Sequence, residues 1–174
     1  EELVKKQAYS NLKVPNYKKL KFEINKLLNS EQKNAVEKIN VSIKKKKPDC
    51  FLLDGVPGSG KTETYFQTVK TCLDEGKQIL ILLPEISLTP DWEKRFYQTF
   101  SFAPLVWHSG VTNTKKKQIW LSALNGSAGV VVGARSALML PISNLGLIIV
   151  DEEHEPAFKQ EEGVRYNARD MAIY

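Results

Sequence analysis

Five short apolar runs punctuate the chain, at 51–53, 79–83, 104–107, 129–132 and 147–150. Their apolar residues are continuous rather than alternating, the pattern of strands buried on both faces of a parallel sheet. The stretches between them predict helices near 61–75, 89–100 and 113–125. Strands alternating with helices of this length define an α/β domain with right-handed crossovers. Upstream, Ala35, Val36, Ile39 and Ile43 recur at helical spacing. Asn29 or Ser30 is placed to cap that helix, with Glu31 and Gln32 in its first turn. The lysines at 44–47 and Pro48 end it, and positive charge there suits the helix dipole. Residues 1–27 are lysine-rich, contain the break Val14-Pro15-Asn16, and read as a linker or the tail of a preceding domain. Residues 28–174 then form one domain without an internal repeat.

Composition narrows the class. With 42% hydrophobic and 26% charged residues in 174, a packed core is expected rather than disorder. The apolar runs are far shorter than the roughly 20 residues of a membrane helix, and no secretory signal pattern opens the chain. It begins Glu1-Glu2 without a methionine, as expected of a piece of something longer. Charge is informative once divided. The first 50 residues hold 13 lysines against six acidic residues, whereas the remainder holds 12 basic and 14 acidic residues. The basic end is thus local, suited to attracting nucleic acid or merely to solubility. Cys50 and Cys72 lack any metal-ligand spacing and lie beside or within apolar segments, so buried reduced thiols are expected, with neither a disulfide nor a zinc site.

The strongest motif is Gly55-Val56-Pro57-Gly58-Ser59-Gly60-Lys61-Thr62. It fits G-x-x-x-x-G-K-[ST] and falls between a predicted strand and a predicted helix, the context that this motif requires. Gly55, Gly58 and Gly60 let the backbone wrap a phosphate chain, with Pro57 and Ser59 completing the loop. The helix that follows offers its N-terminus to the anion. Lys61 is the residue to reach the β- and γ-phosphates of a nucleotide, and the Thr62 hydroxyl to ligate Mg²⁺.

Such a site also needs a carboxylate for the metal. The run 147–150 delivers Asp151 at the C-terminal end of a strand, where α/β sheets present ligands. Glu152 beside it is placed to polarise a water for attack on the γ-phosphate. Lys61, Asp151 and Glu152 are the catalytic candidates, with Thr62 and Asp151 as the metal side.

Asp151-Glu152-Glu153-His154 is more specific than a bare Asp-Glu and marks superfamily 2 helicases and translocases. Further segments follow in order: Leu28-Asn29-Ser30-Glu31-Gln32, Leu83-Pro84-Glu85-Ile86-Ser87-Leu88-Thr89-Pro90, Trp107-His108-Ser109-Gly110, Gly133-Ala134-Arg135-Ser136-Ala137-Leu138, Phe158-Lys159-Gln160-Glu161-Glu162-Gly163, and Arg165-Tyr166-Asn167-Ala168-Arg169-Asp170. Together they resemble the PriA family of primosomal replication-restart helicases. The resemblance covers 28–174, essentially one motor lobe. It implies a RecA-like P-loop NTPase fold, a parallel β-sheet flanked by helices, as the first lobe of an ATP-dependent 3′→5′ DNA helicase. Such a protein reopens abandoned forks and helps to assemble the primosome, with ATP and Mg²⁺ as cofactors. Single-stranded and fork DNA, primosome proteins and single-stranded-DNA-binding protein are the implied partners. The implied location is cytoplasmic and nucleoid-associated, with no membrane. The family's second lobe, its zinc-binding cysteines and its fork-binding domains are not in this sequence.

The resemblance also assigns residues. Gln32 occupies the place of an adenine-reading glutamine, although a helix-start glutamine is an equal reading. Pro84, Ser87 and Thr89 lie in a loop that touches the nucleic-acid backbone in related motors, and Thr89 also suits a helix cap. Arg135 and Ser136 resemble a second DNA-contacting motif, with an internal salt bridge as the plainer reading for Arg135. His108 reads as structural, whereas His154 relays the nucleotide state toward DNA. Residues 155–170 resemble a loop that stacks on single-stranded bases. Its rings here are Phe158 and Tyr166, and Val164 stands where the family can carry an aromatic, which moves weight to Lys159, Arg165 and Arg169. Three other readings fit the phosphate loop: a duplex-DNA translocase or repair helicase, a P-loop kinase or small nucleotide-binding regulator, and a nucleotide-gated scaffold.

Overall fold

The computed structural model describes residues 27–45, 48–161 and 163–174. The lysine-rich lead-in at 1–26, Lys46, Lys47 and Glu162 lie outside the described residues. Helix α1 (Ser30–Lys45) precedes the glycine-rich loop and α2 (Lys61–Asp74) follows it. Strand β1 (Gln78–Leu82), α3 (Pro90–Phe100), β2 (Leu105–Trp107), α4 (Asn113–Leu124), β3 (Val130–Gly133) and β4 (Leu145–Val150) come next. A short hairpin of β5 (Lys159–Gln160) and β6 (Tyr166–Asn167) leads into α5 (Ala168–Met171).

The sheet has the order β2-β3-β1-β4, and every pairing is parallel. Val and Ile dominate its two inner strands, where branched side chains pack well on a pleated surface. Burial follows the period of two. Ile79 and Ile81 face α2 and α3, while Leu80 and Leu82 face α4 and the turns after β3 and β4. The first face is aromatic: Phe66, Trp92, Phe96, Phe100 and Phe102 meet mostly edge to face. This packing joins α2 to α3. Helices α3 and α4 are capped by the threonines that precede them, the Thr89 hydroxyl accepting from Trp92 N and that of Thr112 from Lys115 N. Asn29 and Gln32 form a reciprocal capping box: each side-chain oxygen accepts the other's backbone N–H, at 2.8 and 2.9 Å.

The α/β class and four of the five expected strands are present. Three features differ from expectation. Residues 51–53 form no strand; Phe51 and Leu52 are 45% and 80% exposed. A strand exists only through pairing, and no described strand lies beside this run. For the same reason β4, with β1 on only one side, is half-exposed rather than buried on both faces. Cys50 is exposed just ahead of that unpaired run, whereas Cys72, inside α2, is fully buried. Among the described residues no helix is long and apolar enough to cross a membrane.

Candidate nucleotide and nucleic-acid site

The phosphate loop has the backbone its sequence demands. Gly58 and Gly60 lie in the left-handed region at φ 79° and 82°, where a side chain would be strained. Gly60 is the N-cap of α2, and no side chain caps this helix. An uncapped helix N-terminus behind two such glycines is an anion cradle. Lys61 Nζ donates to the Gly55 carbonyl at 2.6 Å, so the lysine is folded over its own loop. Gln32 Nε2 donates to the Ser59 carbonyl at 2.8 Å and ties α1 to the loop. Its other partners are those of the capping box, which leaves one N–H and one lone pair of the amide for a base.

The acidic end is held just as firmly. Asp151 N donates to the Leu82 carbonyl at 3.0 Å, extending the β4–β1 ladder by one rung. Asp151 Oδ1 accepts Glu152 N–H at 3.0 Å, and Oδ2 accepts the Tyr65 hydroxyl at 3.0 Å. Tyr65 is 6% exposed and lies one turn into α2, so this bond joins the phosphate-loop helix to the end of β4. Burial first, and then the Asp151 charge, push the Tyr65 phenol well above its ordinary pKa, so it keeps its proton and donates. Trp92 Nε1 donates in turn to the Tyr65 hydroxyl at 3.1 Å. Sequence reading missed both residues. The available signal was position: Tyr65 follows Thr62 by three on one helix face, and Trp92 follows Thr89 likewise.

Each Asp151 oxygen retains a lone pair, and Thr62 supplies a hydroxyl on the adjoining helix. These hard oxygen donors fit Mg²⁺, which takes one or two protein ligands and completes its shell with water and phosphate. Glu152 adopts φ 52°, uncommon for a residue with a side chain and often found at functional turns. Its carboxylate is half-exposed and lies 3.7 Å from His154 Nε2.

The remaining candidates line the ends of the strands. After β1, Pro84 accepts Ser87 N–H in a turn at Glu85–Ser87, and Thr89 caps α3. After β2, His108 Nδ1 accepts Gly110 N–H, a structural use, and Ser109 Oγ donates to Glu85 Oε1 at 3.2 Å. Trp107 Nε1 donates to Ser136 Oγ at 3.2 Å, joining the ends of β2 and β3. Among the described residues Arg135 meets backbone carbonyls rather than a carboxylate: its Nη1 donates to the Lys159 carbonyl at 2.7 Å and more weakly to that of Ala157. It therefore braces the 156–160 turn from below. Lys159 pairs with Glu161, and Arg169 with Glu153 and Asp170. The Glu153 carboxylate, then that of Asp170, raises the Arg169 pKa above its ordinary value. Two rings behave differently from a stacking surface. Phe158 is 1% exposed and packs in the core beneath β4, and Tyr166 is half-buried against the same cluster. Lys116 joins this rim unanticipated, its Nζ donating to the Ser109 carbonyl.

A parallel sheet with an Asp-Glu turn at its C-terminal edge, joined by one tyrosine hydroxyl to the helix behind a glycine-rich phosphate loop, defines a P-loop domain of the RecA-like helicase fold. The chain belongs to the family described as "Type III restriction enzyme, res subunit", whose model matches residues 25–171. It is similar to replication restart proteins PriA. It is 49% identical to that of Rickettsia felis over 84% of this chain and 22% of the relative. It is 45% identical to that of Bacillus subtilis over 84% and 18%, and 50% identical to that of Haemophilus influenzae over 72% and 17%. The chain thus spans about a fifth of the length of the curated relatives it matches.

Proposed function

We propose that residues 28–174 are the ATP-binding lobe of an ATP-dependent 3′→5′ DNA helicase that restarts stalled replication forks and helps to assemble the primosome. The relatives' name, replication restart protein, and the motif order support this reading. The observation that carries it is the Tyr65–Asp151 hydrogen bond, which holds the phosphate-loop helix against the Asp151-Glu152-Glu153-His154 turn. In this reading the loop 55–60 wraps the phosphates with its N–H groups, and Lys61 exchanges the Gly55 carbonyl for a phosphate oxygen. Thr62 and Asp151 hold Mg²⁺, which when bound draws negative charge off the phosphates. Glu152 orients and deprotonates the attacking water. Gln32 reads the adenine edge. Loops 84–90 and 133–139, with Ser87, Thr89, Arg135 and Ser136, track the DNA backbone, and His154 reports the nucleotide state to them.

A helicase of this class works with two lobes, the second supplying arginine to the transition state. This chain alone is therefore expected to bind ATP and to hydrolyse it negligibly, with or without single-stranded DNA. Exchanged for the corresponding lobe of the Bacillus subtilis relative, it should restore DNA-stimulated hydrolysis. Unaided turnover by the isolated chain would show a site complete within 174 residues and would sink the two-lobe reading. The matching family's description names a restriction-enzyme subunit, which favours a second reading, a duplex translocase. Translocation of the chimaera along duplex DNA without strand separation would select it.

A further inference from the structure

Among the described residues, the least explained polar groups near the site are two buried aromatic side chains. Tyr65 and Trp92 are 6% and 7% exposed, on different helices, yet their polar atoms meet each other and Asp151. Buried Tyr and Trp need partners for O–H and N–H, but a backbone carbonyl would serve as well. Here the partner is the carboxylate that would hold the metal in the reading above. Thr62 lies one turn before Tyr65 on the same helix. The phenol thus joins the helix that carries Thr62 to the Asp151 carboxylate. From the far end, Trp92 N donates to Thr89 Oγ1, at the close of the loop 84–90.

The geometry points to Tyr65 and Trp92 as positioning residues: the chain Trp92 Nε1–H to Tyr65 hydroxyl to Asp151 Oδ2 aims the Asp151 carboxylate and ties its orientation to α3, the helix that the 84–90 loop feeds. The assignment rests on the nucleotide reading given above. Its physical basis is simple. A carboxylate on a turn rotates about χ1 and χ2, and a donor fixed in a packed core removes that freedom. Tyr65 is fixed in turn by its edge-to-face contact with Phe66, whose ring packs against Trp92 and Phe96. A shift of α3 displaces the Trp92 indole and, through the phenol, the carboxylate.

Two measurements on the 174-residue chain test this. The first needs no nucleotide. Trp92→Phe assigns the Trp92 indole N–H resonance among the three tryptophans. Asp151→Asn removes the charge but keeps an acceptor, and it should move that resonance. In a Tyr65→Phe background the same substitution should leave it in place. A Trp92 signal indifferent to Asp151→Asn with Tyr65 present overturns the proposal. The second compares affinity for a non-hydrolysable ATP analogue in Mg²⁺ and in EDTA. Tyr65→Phe should reduce the Mg²⁺ enhancement about tenfold, the scale of one hydrogen bond to a charged group, and leave the EDTA affinity unchanged. Trp92→Phe, which retains the phenol should Tyr65→Phe fail to fold, should reduce the enhancement by about threefold. Equal losses with and without Mg²⁺ indicate a merely structural role and overturn the proposal. If the unaltered chain binds no analogue in either condition, the nucleotide reading falls and the positioning role with it, while the resonance test still reports whether the hydrogen-bond chain exists.

Discussion

Lys61 shows how much of the site is set residue by residue. Its ammonium is satisfied by a carbonyl of its own loop, a partner that a phosphate oxygen can replace with a stronger, charge-assisted bond. Lys61→Ala should therefore weaken nucleotide binding by roughly ten- to a hundredfold, the loss of one such bond. It should leave the melting temperature nearly unchanged, because only one hydrogen bond to a half-exposed loop disappears. Titration with a fluorescent nucleotide beside a thermal melt checks both; intact affinity would remove Lys61 from the site. Gln32 teaches the converse lesson. Its amide already caps α1 and grips the loop at Ser59, so substituting it disturbs the loop together with the proposed base contact.

At the scale of elements, the sheet is closed at its N-terminal end by Gln78. This side chain is 1% exposed, and its four hydrogen bonds reach Ala123, Ala128, Ser143 and Asn144. It fastens β1 to the ends of α4 and the segment entering β4. Gln78→Leu has nearly the right volume but orphans Asn144 N–H and the Ala128 carbonyl. A loss of about 2–4 kcal/mol is expected, read as a lowered urea midpoint, and a neutral outcome would mean that water replaces the amide. Nothing in the sequence marks Gln78 as different from a surface glutamine at a strand edge. Apolar runs, caps and the phosphate loop were legible because their signals are local: periodicity, a Thr before a helix, glycines at fixed offsets. Residues 51–53 misled because a strand depends on its neighbour, which local pattern does not reveal. Tyr65, Trp92 and the Arg135 brace were hidden because each is defined by a contact between elements distant in sequence. Phe158 looked like a stacking ring for the same reason, since its burial is decided by β4 and the hairpin rather than by its own loop.

For the whole molecule, those long-range contacts place two titratable groups in the aromatic core on one side of the sheet. Burial pushes the Cys72 thiol up from an ordinary value near 9 to about 12, and burial with the Asp151 charge raises Tyr65. The sign follows from proton counting. Above about pH 9 the unfolded chain releases the Cys72 proton that the folded chain retains, so the folded state binds more protons and stability falls as pH rises. The contribution is complete below pH 9 and is lost progressively toward pH 12, with Tyr65 adding to the slope above its ordinary value near 10. Urea midpoints at pH 7, 9 and 10.5 should therefore drop steeply only over the last interval. Cys72→Ala shifts every midpoint downward by lost packing, but it should flatten that drop, and Tyr65→Phe should flatten it further. A slope untouched by both substitutions would place the alkaline sensitivity in the lysines rather than in the core. Because Tyr65 is also the residue that touches Asp151, two measurements separate its contribution to the fold from its part in aiming the carboxylate: the first appears in the pH dependence of the urea midpoint, the second in the Mg²⁺ dependence of nucleotide binding.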